Sequence, residues 1–134
     1  MTATAIKYGI VKKTSLGFDQ AVEAVTAALA DEGFGILTEI DVQAVLKKKL
    51  DIDRPRYLIL GACNPQLASA ALDAEPWVGL LLPCNVVVQE IEGGTEVAFM
   101  DPGMIQRETL NRAIDETARD ARERLIRAAN RLPA

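Results

Sequence analysis

Both cysteines of the chain are followed by asparagine, Cys63 by Asn64 and Cys84 by Asn85. Each pair stands beside a proline at one end of an apolar run whose length is typical of a β-strand. Side chains at strand ends are held by a rigid scaffold and face solvent or a ligand. Thiols supply a nucleophile or a soft-metal ligand, and amides supply hydrogen-bond donors. The four residues are therefore predicted to form a ligand-binding site.

The two thiols are open to more than one interpretation. If Cys63 and Cys84 meet at neighbouring strand ends, they could bind a small thiol, a persulfide or a soft metal, or cycle through a disulfide. If they are small apolar core residues, neither does chemistry, because free cysteine is among the most buried residue types. Cys63 precedes a predicted helix, whose dipole favours a thiolate by only about 0.3–1 kcal/mol. Strong activation would also need a cation, for which Lys47, Lys49 and Arg56 are candidates.

Three carboxylates at predicted strand ends form a second candidate group. Glu39 and Asp41 close the second strand, and Asp101 follows the last one. Together they could carry protons or bind a hard cation, although solvated carboxylates are the commoner case. Glu39 and Asp101 are therefore added to the ligand-binding candidates. The chain has no histidine, so no metal is predicted, and a haem would depend on Cys, Met or Tyr as its axial ligand.

Length and composition bound the class of protein. A chain of 134 residues, 49% of them hydrophobic, has the usual size of one domain, here 1–134. Its formal charge of −4 repels a phosphate backbone, so nucleic acid is not expected as a partner. No stretch approaches the roughly 20 apolar residues needed to cross a bilayer. We therefore expect a cytoplasmic protein with no membrane partner, whose two thiols stay reduced.

Apolar periodicity predicts the first half of the fold. We predict a strand over 6–12, a helix from Phe18 that ends at Gly33 with Ser15 as its N-cap, a strand over 34–41 and a short helix over 42–50. The run 56–62 is almost continuously apolar, which is typical of a strand buried on both faces.

The second half begins with a helix that Asn64 caps and Pro65 starts, running to Leu72. Strands are predicted over 78–82, 86–91 and 95–100, the last two joined by a tight turn at Gly93-Gly94. From Leu110 to the end of the sequence apolar residues recur every three or four positions, which predicts one amphipathic helix about 40 Å long. The six predicted strands and the helices between them indicate an α+β domain.

Several short motifs resemble those of one family. They are Gly33-Phe34, Glu39-Ile40-Asp41, Cys63-Asn64-Pro65, Leu82-Pro83-Cys84-Asn85 with the three valines that follow, and Asp101-Pro102. With them the chain, from about Lys7 to the final helix, resembles the bacterial and archaeal family catalogued as domain of unknown function 302. The resemblance implies a curved antiparallel sheet packed against helices in a TATA-binding-protein-like arrangement, commonly as a dimer. It implies no assigned reaction.

These observations lead to one expected function and two alternatives. We expect a non-enzymatic homodimer that binds a small ligand at the Cys63 and Cys84 end of the sheet. The first alternative is a thiol-dependent redox or sulfur-carrier enzyme, which needs thiols that ionise below about pH 8 and oxidise reversibly. The second is a structural or partner-binding dimeric module without an active site, which would tolerate replacement of both cysteines by alanine.

Overall fold

The computed structural model describes residues 3–134 and contains one six-stranded antiparallel sheet. In chain order the strands are Thr4–Ile6 (β1), Gly9–Thr14 (β2), Gly35–Asp41 (β3), Tyr57–Cys63 (β4), Cys84–Ile91 (β5) and Gly94–Met100 (β6). Across the sheet they lie in the order β1, β2, β6, β5, β4, β3, and every neighbouring pair is antiparallel. The two strands that carry the cysteines, β4 and β5, are therefore adjacent and interior.

The strands of residues 3–134 are joined by five α-helices and two 3₁₀ turns. The helices are Phe18–Asp31 (α1), Val42–Leu50 (α2), Pro65–Ala74 (α3), Gly103–Thr109 (α4) and Asp115–Arg131 (α5), and the 3₁₀ turns are Pro76–Leu81 and Arg112–Ile114. This arrangement confirms the predicted α+β class. Over the same residues, none of the helices is both long and apolar enough to cross a membrane.

The main core lies between the sheet and the helices α1 and α5, which contact each other and the strands. Alternate residues of β5 and β6, such as Val86, Val88 and Val97, are fully buried against Leu29 of α1 and Leu125 of α5. Burying a side chain of this size stabilises the fold by roughly 1.5–3 kcal/mol. The period-two pattern of the strands thus fixes which face of the sheet the helices cover.

Two predictions near the N-terminus were wrong. The segment predicted as one strand is a hairpin, in which β1 and β2 pair across the two-residue turn Lys7-Tyr8. That turn contains none of the residues that mark a hairpin in sequence, although a glycine follows it. The N-cap of α1 is Gly17, while the Ser15 hydroxyl donates a hydrogen bond to the Ala134 carbonyl at 2.8 Å.

The strand predicted over 78–82 was also wrong, because Pro76–Leu81 forms a 3₁₀ turn. Its central residue, Val78, is buried in a second, smaller core with Ala71, Ile105 and Ile114. Periodicity alone does not separate a short apolar strand from a short buried turn. The predicted number of strands is nevertheless correct, since the N-terminal hairpin supplies the sixth.

The long C-terminal helix is confirmed, but it begins later than predicted. α5 has 17 residues and is therefore about 26 Å long at 1.5 Å per residue. Leu110 ends α4 with a left-handed φ of +51°, and the Asn111 side chain then accepts a hydrogen bond from the Ala113 amide to start a 3₁₀ turn. The apolar spacing continues through this break because Ile114 packs into the second core.

Candidate functional site

The two Cys-Asn pairs meet at one end of the sheet. In the register of β4 and β5, Ala62 lies opposite Cys84 and Gly61 opposite Asn85. Cys63 directly follows Ala62 and is therefore a near neighbour of Cys84. Both cysteines are free thiols.

A cavity of about 60 Å³, partly open to solvent, lies at this end of the sheet, and both cysteines line it. Ala68 and Ala71 of α3 form one part of its wall, and Ala118 and Ala121 of α5 form another. Because an alanine side chain ends at Cβ, the two helices leave space between them that longer side chains would fill. The result is a concave, mainly apolar site lined by both cysteines.

The segment leading into β5 closes over the neighbouring strand. Leu82 and Pro83 line the cavity, and the peptide bond between them is cis. A Cβ atom at Gly61 would stand 2.9 Å from Cγ of Pro83 and would also collide with the Thr38 hydroxyl. Glycine at this position therefore allows the chain before Cys84 to approach β4 closely.

Cys84 points into the core. It has the same strand parity as Val86 and Val88, and all three residues are buried. Burial raises the pKa of the Cys84 thiol to about 11, and the nearby Cys63 contributes to the rise. At neutral pH Cys84 is therefore an uncharged thiol and a poor nucleophile.

Cys63 is half-buried at the wall of the cavity. The cations suggested by the sequence are engaged elsewhere: Lys47 pairs with two aspartates of the following loop, and Arg56 lies over the Phe18 ring, 4.0 Å from its centroid. Lys49 is exposed on α2 and is not part of the wall. Within residues 3–134 the wall contains no lysine or arginine side chain, so it lacks the cation that strong thiol activation requires.

Asn64 lines the cavity, but both polar groups of its side chain form hydrogen bonds to the backbone. Its side-chain oxygen accepts a hydrogen bond from the Leu67 amide at 3.2 Å, which caps α3 as predicted. Its side-chain nitrogen donates to the Glu32 carbonyl at 3.4 Å. Gly33 has a φ of +86°, as expected at the end of α1, and a Cβ there would stand 2.8 Å from the Asn64 nitrogen. Asn64 thus joins the start of α3 to the end of α1.

An ion-pair cluster fixes the same junction from the side of α5. The Glu32 carboxylate is buried, accepts a hydrogen bond from Arg127 at 2.8 Å and forms an ion pair with Arg131 at 2.8 Å. Arg124 donates a hydrogen bond to the Glu32 carbonyl at 3.0 Å. The hydrogen bond from Arg127 is the main cause that lowers the pKa of Glu32; burial opposes it, and the charges of the three arginines add to the lowering. The cluster therefore holds α1 and α5 together next to the cavity.

Asn85 does not share the cavity with the other three residues. It alternates with Cys84 and Val86 along β5, so its side chain lies on the opposite face of the sheet. Asn85 is exposed and is not part of the cavity wall. The structure therefore brings together Cys63, Asn64 and Cys84 but not Asn85.

The carboxylates are not brought together. Glu39 is exposed on the edge strand β3, three strands away from β6, or about 14 Å at 4.8 Å per strand. Asp101, which follows β6, is buried and pairs with Arg122 at 3.0 Å, and Asp41 caps α2. Across the described part of the chain, carboxylates and thiols form no cluster of three or more that would hold a metal ion.

The helical side of the cavity was not predicted from the sequence. The residues concerned are Thr117, Ala118 and Ala121 on α5 and Ala68 and Ala71 on α3. One signal was available, since the alanines on each helix are three residues apart and therefore share a face. Pairs of small residues on two helices mark a place where the helices leave room or pack closely.

A family model described as Domain of unknown function DUF302 matches residues 10–132. The chain belongs to this family. It is also similar to the protein in the crystal structure of uncharacterized conserved protein DUF302 from Bacillus stearothermophilus, with 31% sequence identity and a TM-score of 0.87 over 94% of this chain and 98% of that one. No protein with a curated description matches the chain. The resemblance inferred from the short motifs is thus confirmed.

Proposed function

We propose that this protein is a non-enzymatic binding protein that takes a small molecule into the cavity between β4, β5, α3 and α5. The observation that carries the proposal is that two cysteines on adjacent interior strands line one apolar cavity. Small-molecule sites are usually concave and mostly apolar, with a few polar groups that orient the ligand. Cys63 is the thiol placed to contact the ligand, because it is half-buried at the wall and Cys84 lies in the core.

The thiol-dependent enzyme is the less well supported alternative. Thiol–disulfide exchange begins with attack by a thiolate, and its rate depends on the ionised fraction of the attacking thiol. Burial raises the pKa of Cys84 to about 11, which is opposite to what a catalytic pair needs. Reversible oxidation of both thiols in the folded protein at about pH 8 would favour the enzyme instead.

Two alanines of α3 provide a direct test of the binding proposal. Ala68 lines the cavity, whereas Ala70 is exposed on the same helix. Ala68→Leu should fill the cavity, and Ala70→Leu adds the same atoms outside it. We expect that at least one member of a panel of neutral, anionic and cationic fragments shifts amide NMR signals around the cavity in the native protein and in Ala70→Leu. No such shift should be seen in Ala68→Leu.

Two results would contradict this function. One is the absence of any localised shift across the whole panel. The other is a set of shifts that persists unchanged in Ala68→Leu, which would place the binding elsewhere. Thermal unfolding of both variants verifies that they are folded, and a folded Ala68→Leu protein is the condition for the comparison.

We also propose that the protein is a homodimer that pairs through the sheet face opposite the helices. One apolar residue from each of five strands forms a row on this face, in the order Val11, Ala98, Val87, Ile59 and Ile40. All five are half-buried or exposed in the single chain. Beside the row, Lys13 of β2 lies opposite Glu96 of β6. In a two-fold symmetric dimer, each copy would therefore offer a positive and a negative charge to the other.

The dimer is tested by light scattering of the native protein and two charged variants. Val87→Glu places a carboxylate in the middle of the apolar row, and two-fold symmetry would bring two such charges together. Leu80→Glu is the control, since Leu80 is 83% exposed in the 3₁₀ turn before β5. We expect dimers for the native protein and for Leu80→Glu, and monomers for Val87→Glu. A monomeric native protein would contradict the proposal.

A cytoplasmic location is the last part of this proposal. Its support is that the two neighbouring cysteines are unpaired, since thiols persist in the reducing cytosol and oxidise in exported proteins. Fractionation of cells that produce the protein should recover it with cytoplasmic markers. Recovery with exported proteins would contradict this location.

A further inference from the structure

The wall of the two-cysteine cavity carries no charged side chain among the described residues. The nearby ionised groups are engaged in pairs of their own, Asp101 with Arg122 and Glu32 with Arg127 and Arg131. An ion that entered the cavity would lose its water of hydration and find no opposite charge in return. The electrostatics of the wall therefore oppose both anions and cations.

Few polar atoms of the wall are available to a ligand. Asn64 uses both its side-chain groups in bonds to the backbone. Thr117 differs from other helical threonines: Thr26 and Thr109 donate their hydroxyls to the carbonyl four residues earlier, whereas the Thr117 hydroxyl makes no such bond within residues 3–134. The Thr117 hydroxyl and the Cys63 thiol are thus the half-buried polar groups of the wall that can face a ligand. Both suit an uncharged molecule with at most one weak hydrogen-bonding group.

The size of the cavity sets the size of the ligand. One water-sized atom occupies about 15 Å³ of cavity volume. The cavity volume of about 60 Å³ therefore accommodates about four non-hydrogen atoms. A ligand this small cannot bind tightly, because binding energy per atom has an upper limit, and a dissociation constant of about 1 mM is expected.

We propose that the cavity selects uncharged, weakly polar molecules of about four non-hydrogen atoms, such as short thioethers, and excludes ions of the same size. This selectivity rests on the binding function proposed above and narrows its ligand class. A persulfide anion, one of the ligands that the two thiols alone suggest, is excluded on the same ground.

Three probes of similar size and different charge test the selectivity. Dimethyl sulfide is neutral, dimethylammonium has nearly the same shape with a positive charge, and acetate is an anion. Each is titrated into ¹⁵N-labelled native protein, Ala68→Leu and Ala70→Leu at one pH and ionic strength. We expect saturable amide shifts around the cavity with dimethyl sulfide in the native protein and Ala70→Leu, and loss of those shifts in Ala68→Leu. Both ions should bind at least about tenfold more weakly.

The possible results separate this inference from the broader binding function. If either ion binds as well as dimethyl sulfide at the cavity, the selectivity is wrong and the binding function stands. If no probe binds, the selectivity is also wrong. The binding function itself fails only if the panel of neutral, anionic and cationic fragments also gives no localised shift. Shifts with dimethyl sulfide that survive in Ala68→Leu would overturn the assignment to this cavity.

Discussion

The two Cys-Asn pairs have the same residues at the ends of adjacent strands, yet the structure places them in opposite ways. In the first pair the thiol of Cys63 is half-buried and Asn64 is buried. In the second pair Cys84 is buried and Asn85 is exposed. The comparison teaches that a residue type at a strand end acquires a role only from the direction of its side chain and from the element that follows.

The secondary structure that follows each cysteine explains where the asparagine side chain of that pair lies. After Cys63 the chain turns directly into α3, so Asn64 becomes a helix cap and its side chain folds back over the backbone. After Cys84 the strand continues, so the next side chain points to the opposite face. The first pair can therefore present a thiol to the cavity, while the second contributes a core residue and a surface residue.

Alkylation should separate the two thiols most strongly. At pH 8 a thiol with a pKa of about 11 is ionised about 100-fold less than one at its ordinary value of 9.0. We expect iodoacetamide to modify Cys63 in the folded protein and Cys84 only after unfolding. Peptide mass spectrometry over a time course measures both rates. Equal rates in the folded protein would break the comparison.

The stability of the protein at alkaline pH should depend on Cys84. The pKa of Cys84 is raised in the folded state, so the contribution of its protonated thiol to the free energy of unfolding is fully present below the ordinary thiol pKa. This contribution is lost as the pH rises from about 9 to about 11. Two pKa units correspond to about 2–3 kcal/mol. Urea unfolding across this pH range should show the loss in the native protein and in Cys63→Ala. The same loss in Cys84→Ala would assign it to another group.

Replacing the two asparagines should change the free energy of unfolding by different, smaller amounts. Asn64→Ala removes a helix cap and the bond to the Glu32 carbonyl, and a cost of about 1–2 kcal/mol is expected. Asn85→Ala, at an exposed position, should stay within about 0.5 kcal/mol of the native protein. Urea unfolding of the two variants provides the measurement. A cost for Asn85→Ala as large as that for Asn64→Ala would contradict this difference between the asparagines.

The smallest effect concerns the carboxylate beside Asn64. Because the pKa of Glu32 is lowered in the folded state, the ionised carboxylate stabilises the fold at pH values above its ordinary pKa. This stabilisation is lost as the pH falls through the pKa of the folded state. The arginine partners of Glu32 are about half exposed, and solvent screens the pairs. Glu32→Gln should therefore weaken the pH dependence below pH 5 only modestly. An unchanged acid profile in Glu32→Gln would contradict this role.

Local signals in the sequence predicted those parts of the fold that depend on local geometry. The cap at Asn64, the proline that starts α3 and the period-two pattern of β5 are each decided by neighbouring residues, and the structure has all three. The turn at Lys7-Tyr8 was missed because it contains none of the residues that mark a hairpin. The 3₁₀ turn before β5 was missed because a short apolar segment fits a strand and a buried turn equally well.

The candidate site was predictable only in part. The parity of Cys84 with Val86 was visible in the sequence, but the face that the helices cover was not. The grouping of Glu39 with Asp101 was wrong because strand order, which sequence does not specify, places three strand spacings between them. The alanines of α5 were missed because their approach to α3 depends on the packing of distant segments.

Xenon tests the central claim, that both thiols border a cavity open to a small neutral ligand, most directly. Xenon is uncharged and polarizable and enters apolar cavities in proteins. In a crystal of the native protein under xenon pressure, we predict one xenon atom between Ala68 and Ala118, next to Cys63, and none there in Ala68→Leu. A native crystal in which xenon occupies other positions and leaves this cavity empty would contradict the account.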